Sequence, residues 1–534
     1  MVTPLEGEGL ATTARNSVTV AGWTLLSRAT GLLRVVVIGA VLGATYFANC
    51  FQASNVVPNI VFSLMAGPVL AMVLVPAVVG ALEAAGQHRA REVLGRVTGW
   101  MLVVSAGVVA LLILASPAVA WTLSRGIPDP VERSRGLWLT VLLVVLVAPQ
   151  VVLYCVAHLG LSAQRACGRF ALSAAAPAVE NVVLILTVLL AGWYYGGAGL
   201  GIDRVPLGMV IMLGAGSTVA VGLHAALQLF GAARVGLLAR PSLRWREDPE
   251  ALAVTRRLAR SVGVAALPAL AMYVLLAIAG SLPGGVFVVQ MSYAVLFALS
   301  YVSARAVSMA SLPELSGAMH RDDPARFAAA WRQGLSYALI ASLPLMVMLA
   351  VLCGPTANIL ASGELRHTAL IGPLAGCLVV VAVAQLVIGL SDLGVQALYA
   401  RQDDRVPRRA SRVNLGVTIL VGTGALLFPA GAGRLVWLVV AILLGELAAT
   451  AMVLARTRRV IRPERFVDRG ALTGTLLATL AMAPVTAGTW WIQHDFTDRP
   501  LATLAVLVGG GILALAVYAI VLRVTVRPTH PQAS

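Results

Sequence analysis

Two arginines stand six residues apart inside an apolar run, in Leu26-Ser27-Arg28-Ala29-Thr30-Gly31-Leu32-Leu33-Arg34. A guanidinium is permanently charged, planar and carries its donors in a fork, which suits paired oxygens on phosphate or carboxylate. Holding one near the centre of a bilayer costs at least about 2.5–3.5 kcal/mol, so an intramembrane Arg lines a cavity more often than it faces lipid. Pyrophosphate is an obvious ligand for such a pair. Six helical residues turn the chain by about 240°, so the two do not share one narrow stripe. Their long side chains could still reach one cavity from neighbouring depths. Arg28 lies only a few turns from the helix start, and snorkelling to the cytoplasmic headgroups is its alternative role.

A third candidate for that cavity is Arg305, in Tyr301-Val-Ser-Ala-Arg305-Ala-Val-Ser308. Its small and hydroxylated neighbours would let another helix approach closely. Pairing with Glu314 or reaching the cytoplasmic surface is the competing reading. Three acids, Glu180, Asp392 and Glu446, also fall within apolar stretches. An unpaired carboxylate is costly in lipid, so these either serve ion coupling, pair with the arginines, or make structural bonds between helices.

The elements that must position these residues are transmembrane helices. The 534 residues are 59% hydrophobic and 12% charged, with a mean hydropathy of +0.89. A soluble globule of that composition would put far too much apolar surface into water. A helix of roughly 20 apolar residues spans the hydrocarbon while satisfying its own backbone, and such runs recur throughout the chain. The net charge of +16 does not indicate nucleic acid, because the basic residues form short clusters between apolar runs. All 39 are Arg, which speaks of a GC-rich coding sequence rather than a mechanism. The five cysteines lack a C-x-x-C pair and a nearby His, which argues against metal sites and external disulfides. The polar N-terminus lacks a cleavable signal, so the first helix is expected to stay as an anchor.

Hydropathy predicts an all-α, polytopic integral membrane protein with fourteen spans, near 17–42, 47–82, 97–121, 137–160, 170–194, 205–231, 259–281, 286–313, 331–353, 370–399, 411–430, 435–455, 471–492 and 501–523. An even number puts both termini on one side. Only seven arginines, Arg125, Arg133, Arg135, Arg204, Arg366, Arg434 and Arg499, fall in loops of the opposite side, so both termini are expected in the cytoplasm of an inner-membrane protein. The basic loop 232–258 divides an N-lobe (1–231, six spans) from a C-lobe (259–456, six spans), with two more spans in 457–534. Leu161-Ser-Ala-Gln-Arg-Ala-Cys-Gly-Arg169 and Leu398-Tyr-Ala-Arg-Gln-Asp-Asp-Arg405 form a weak echo six helices apart. Pro58-Asn59 and Gly67-Pro68 are expected to interrupt the second span, and Pro177 the fifth. No loop could house a catalytic domain: the external connection 122–136 is short, and Asp129 and Glu132 are its only acids, which argues against a glycosyltransferase.

Leu26-Ser27-Arg28-x-x-Gly31-x-x-Arg34, then Leu42-Gly43, Pro58-Asn59 and Val75-Pro76, resembles the opening of the MviN/MurJ family of lipid II flippases in the MOP exporter superfamily. Arg169-Phe170, Ala176-Pro177, Asn181, Pro344, Gly354-Pro355 and Gly363 continue the likeness in order. Tyr399-Ala-Arg401-Gln402-Asp403-x-Arg405-x-Pro407 is similar to the family's most recognisable cytoplasmic loop. The resemblance implies two six-helix lobes around a central cavity, two C-terminal helices forming a groove for a lipid tail, and alternating access. It implies a transporter rather than an enzyme, with no cofactor, coupled to membrane potential or a Na+ or H+ gradient. It assigns Arg28 and Arg34 to the pyrophosphate of a lipid-linked peptidoglycan precursor, and Arg401, Gln402 and Asp403 to a structural loop. Its expected partners are that lipid-linked diphosphate, membrane lipids and cell-wall synthesis proteins. Asn49 stands where many members carry Asp and is a further cavity candidate. Phe62 and Ser63, Ala66, and Val295-Leu296 replace charged residues common in the family. Those departures keep two alternatives open: export of another polysaccharide-lipid or amphipathic compound, and a non-transporting relative that acts through its basic loops.

Overall fold

A computed structural model describes residues 4–65, 67–196, 200–261, 267–461, 466–493 and 499–525. All regular structure among them is helical. The chain forms two compact units, Met1–Phe287 and Val288–Ser534.

Unit 1 contains α1 (Pro4–Leu42), α2 (Tyr46–Met65), α3 (Gly67–Ser124), α4 (Pro130–Val147), α5 (Gln150–Ala166), α6 (Ala171–Tyr195), α7 (Leu207–Arg234), α8 (Pro249–Ser261) and α9 (Leu267–Ala279). The α3 segment is two helices joined by a sharp bend at Ala85 and Gly86. Gly86 has φ 73°, a left-handed conformation that a Cβ would disfavour, so the chain reverses there without a longer loop. The expected second and third spans lie on either side of this bend. Within the unit α1 packs on α6, α7 on both α5 and α6, and α3 on α5. In lipid, apolar side chains gain little by leaving their solvent, so close packing and interhelical polar contacts hold such helices together. Leu70, Leu74, Val78, Val93 and Met101 of α3 pack into one buried core with Cys155 and Leu159 of α5.

The basic connection after α7 docks on the start of the second half of α3 rather than hanging free. Ser242 N–H donates to Gly95 O at 2.9 Å, and Arg91 Nε donates to Gly236 O. Asp248 caps α8 through the N–H groups of Glu250 (2.9 Å) and Ala251 (3.2 Å). The same buried carboxylate takes a fork from Arg89 at 2.6 and 3.0 Å and a further bond from Arg96. Burial alone would raise the Asp248 pKa, but the hydrogen bonds from Arg89, Ala251 N–H and Arg96 prevail and hold it below the ordinary aspartate value.

Helix α10 (Gly285–Val302) begins at the boundary between units. Unit 2 continues with α11 (Ala304–His320), α12 (Pro324–Val351), α13 (Cys353–Leu360), α14 (Ile371–Ala400), α15 (Arg405–Gly424), α16 (Ala432–Val460), α17 (Arg469–Gln493) and α18 (Pro500–Thr525). Helix α14 packs on α11, α12 and α16, and α15 packs on α16. Trp331 is fully buried in this unit's core beside Leu315, Phe327 and Leu393, and its Nε1–H reaches Phe466 O at 3.1 Å. The C-terminal pair α17 and α18 pack on each other, with Ala478, Met482, Ala514 and Tyr518 between them. Tyr518 anchors the pair to α12 by donating its hydroxyl to Ile340 O at 2.8 Å.

Among the described residues, twelve helical stretches are long and apolar enough to cross a membrane. The difference from fourteen has a local origin. The stretch Leu70–Ser124 is continuous except for the bend at Ala85–Gly86, and α9, where a seventh span is expected, has only 13 residues among those described. The expected break at Pro58 does not occur: α2 runs through it, and α6 likewise runs through Pro177. A membrane helix tolerates one lost backbone bond when neighbouring helices cover the gap. Ala66, beside the break expected at Gly67-Pro68, lies outside the described residues.

Candidate functional site

Arg34 is half-buried on α1, next to the face that packs on α6. Its Nε is buried and has no hydrogen-bond acceptor among the described residues, yet the guanidinium acts electrostatically on Glu180 of α6 and Tyr154 of α5. Arg28 lies on an exposed part of the same helix. The first span therefore presents its two charges in different surroundings, as their angular separation requires.

Glu180 is the centre of a buried cluster. Tyr154 OH donates to its Oε1 at 3.0 Å, and His224 Nδ1 of α7 lies 2.6 Å from its Oε2. Gln228, one turn on from His224, places its Nε2 at 3.5 Å from His224 Nε2. An amide nitrogen can only donate, so His224 Nε2 accepts and Nδ1 carries the proton offered to Glu180. Gln228 in turn accepts from Gln164 Nε2 at 2.7 Å and donates to Ser173 O at 3.3 Å, extending the polar ladder along the α5–α7 seam. His158 Nδ1 sits 2.9 Å from Tyr154 O, and its ring lies 4.5 Å from that of Phe62. Asn181, beside Glu180, ties α6 to α1 by donating to Ser27 O and Thr30 Oγ1, both at 3.2 Å.

Asn49 uses its amide on backbone. Its Nδ2 donates to Leu282 O at 2.6 Å and its Oδ1 accepts from Val286 N–H at 3.2 Å, which fixes the connection from α9 to α10. At 3% exposure it is a buried brace.

In unit 2, Arg305 lies in the first turn of α11, just after the eighth span breaks at Ser303. Its Nε is 3.4 Å from Asp392 Oδ2 and its guanidinium sits 4.8 Å from the Tyr301 ring centroid. Asp392, not Glu314, is thus its partner. The pairing follows from a close helix crossing: a Cβ on Gly389 would stand 2.1 Å from Ala304 Cβ, so only glycine lets α11 and α14 meet there. Asp392 follows one turn later on the same face. The contact is an ion pair rather than a hydrogen bond, since Asp392 Oδ2 has no donor aligned on it. Glu446 of α16 lies near Asn414 of α15 and is acted on electrostatically by Asp392 and Arg305.

The 401–403 motif forms the cap of α14. Gln402 has φ 58°, and Asp403 N–H returns to Leu398 O at 3.0 Å in a left-handed helix ending. Asp403 then holds Arg456 Nε at 2.9 Å, and Arg401 lies over the Phe327 ring at 5.9 Å. The echo segment after α5 ends in the same cap, with Gly168 at φ 67° and Arg169 N–H bonded to Gln164 O at 2.9 Å. Matched by their caps, Gly168 corresponds to Gln402, three residues off the register of the sequence echo.

His224, Tyr154, Gln164 and Gln228 are site residues that hydropathy passes over. Their signal lies in polar residues recurring at helical spacing, His224 with Gln228 and Tyr154 with His158, within otherwise apolar runs. Such pairs share a face, and a polar face in a span needs polar partners.

Residues 38–509 match the family model described as lipid II flippase MurJ. Over 230 residues the chain is 26% identical to the probable lipid II flippase MurJ of Haemophilus influenzae, covering 42% of this chain and 43% of that protein. Over 239 residues it is 25% identical to the Vibrio cholerae protein of the same description, covering 44% and 43%. The aligned part thus spans less than half the length of either curated relative. The fold is similar to a solved structure of lipid II flippase MurJ in an inward closed conformation, with a TM-score of 0.73 and 15% identity over 96% of this chain and 100% of that one. It is also similar, at a TM-score of 0.57 and 13% identity over 83% of this chain and 94% of the other, to an inward-facing multidrug resistance MATE family transporter of the MOP superfamily. A multi-pass helical membrane protein whose sequence matches that model over most of its length, this chain belongs to the MurJ lipid II flippase family.

Proposed function

We propose that this protein carries lipid II, or a related undecaprenyl-diphosphate-linked substrate, from the cytoplasmic to the outer leaflet by alternating access. Both termini lie in the cytoplasm in this reading, in accord with the distribution of arginines. The observation that carries it is Arg34, an intramembrane guanidinium whose buried Nε has no acceptor among the described residues. A diphosphate oxygen would fill that demand with a charge-assisted bond. Arg28 would add attraction from its exposed position on the same helix.

Charge also suggests how the cycle turns. A carrier loaded with an anionic diphosphate is close to neutral at its binding residues, whereas the empty carrier is positive there. An inside-negative potential acts on the empty form with about 2.3 kcal/mol per charge per 100 mV and returns it to the cytoplasmic side. A related lipid-linked saccharide is the second reading, favoured by one observation: buried, apolar Val295 and Leu296 stand where the family commonly has a charged pair.

The test is translocation of labelled lipid II in proteoliposomes, scored by accessibility to a membrane-impermeant reagent. Transport by the wild type that collapses in Arg34→Ala supports the proposal. No transport of any undecaprenyl-diphosphate lipid would overturn it.

A further inference from the structure

We infer that Glu180 and His224 form a proton-binding site coupled through Arg34 to the diphosphate cargo, so that the anion and one proton enter unit 1 together. This rests on the flippase reading above and specifies how unit 1 meets the cargo's charge.

Glu180 receives donors on both oxygens, from Tyr154 and His224, and so is held as a carboxylate. His224 turns Nδ1 to Glu180 at 2.6 Å and Nε2 to the Gln228 amide at 3.5 Å, which leaves Nε2 as the ring's site for a further proton. The cluster then carries one negative charge, and Arg34 acts on it from α1, the helix that Asn181, next to Glu180, ties to α6 through Ser27 and Thr30. A diphosphate that binds Arg34 takes that attraction away and leaves an uncompensated carboxylate among buried side chains, a costly state. One proton restores neutrality, and two atoms can accept it: His224 Nε2 and a Glu180 oxygen. No bond to carbon or phosphorus is broken; the proton comes from solvent and returns to it when the anion leaves.

Three neighbouring helices contribute charged and polar groups to the pair's surroundings. Helix α1 supplies Arg34, and α2 supplies the neutral Phe62 and Asn59. Helix α5 supplies Tyr154, His158 and, acting on His158 from an exposed position, Arg165. None of these brings a second carboxylate to Glu180. A proton on His224 Nε2 would also face the Gln228 amide nitrogen, where it needs an acceptor. Gln228 must then turn its oxygen to the ring and give up the bond from Gln164, so proton binding loosens the α5–α7 ladder. A purely structural tie between α6 and α7 would hold the helices equally well but would not exchange a proton with cargo.

Calorimetric titration of the full chain in nanodiscs with lipid II, whose diphosphodiester has no proton of its own to exchange near neutral pH, repeated in buffers of different ionisation enthalpy, counts the protons taken up per ligand bound. We expect about one, with affinity rising about tenfold per unit fall in pH across the titration. Glu180→Gln and His224→Gln should each bring the count close to zero and flatten the pH profile. The wild-type count requires no variant, so a misfolded mutant does not leave the inference open. Binding by the wild type without proton uptake overturns the coupling and leaves the flippase reading standing. Binding at no pH would overturn both.

Discussion

Arg34 and Arg28 were equally prominent in sequence, and their surroundings separate them. A charge-assisted hydrogen bond is worth about 1.5–3 kcal/mol, so Arg34→Ala should slow lipid II translocation by about 10- to 100-fold in proteoliposomes, with Arg34→Lys recovering part of the rate. Arg28→Ala should cost less, about threefold, because an exposed charge contributes longer-range attraction rather than a desolvated bond. Equal losses in the two variants would contradict this ordering. Sequence pointed to Arg34 and Glu180 because an ion in an apolar run stands out. It did not point to His224 or Tyr154, whose rings are ordinary in helices and gain meaning from a carboxylate 44 or 26 positions away in the chain. Asn49 shows the converse, since an amide in an apolar run can serve backbone as readily as cargo.

Helices were legible from hydropathy, while their bends and docked loops were not. Pro58 and Pro177 invited breaks that packing overrides, and the bend that does occur depends on Gly86, an unremarkable residue within a polar connection. The basic loop after α7 carries both a topological signal and a structural joint, because Arg89 and Arg96 converge on Asp248 at the start of α8. Asp248→Asn keeps part of the cap but loses the ion pair, and at neutral pH it should destabilise unit 1 on the order of 2 kcal/mol, between the worth of exposed and buried pairs. The sign of the pH dependence follows from the lowered pKa. The carboxylate's stabilisation is full above the ordinary aspartate value and is lost as pH falls through the lower folded value. Thermal unfolding of the wild type and of Asp248→Asn should therefore differ most at neutral pH and converge in acid. A constant gap down to the lowest accessible pH would show that the charge on Asp248 is not what holds the loop.

At the scale of the whole molecule, composition alone dictates a helical membrane protein, since only helices or closed barrels satisfy every backbone group in lipid. The division into units was less legible. A basic loop looks like a linker in sequence, yet residues 236–258 pack on α3 within unit 1, because ion pairs and an N-cap between distant positions leave no local pattern. Orientation is a property of the entire chain that sequence predicts by charge asymmetry, and it can be checked directly. A fluorescent protein fused after Ser534 should fold and fluoresce in the cytoplasm, while alkaline phosphatase fused after Asp129 should be active because it reaches the outer side. The basic loop after α7 should be inaccessible to impermeant reagents in intact cells and become accessible when the membrane is opened. An active phosphatase fusion within residues 236–246 would invert the topology. It would also place Arg28, near the start of the first span, toward the outer leaflet, and the proposed uptake of a diphosphate from the cytoplasmic side would lose its entry point.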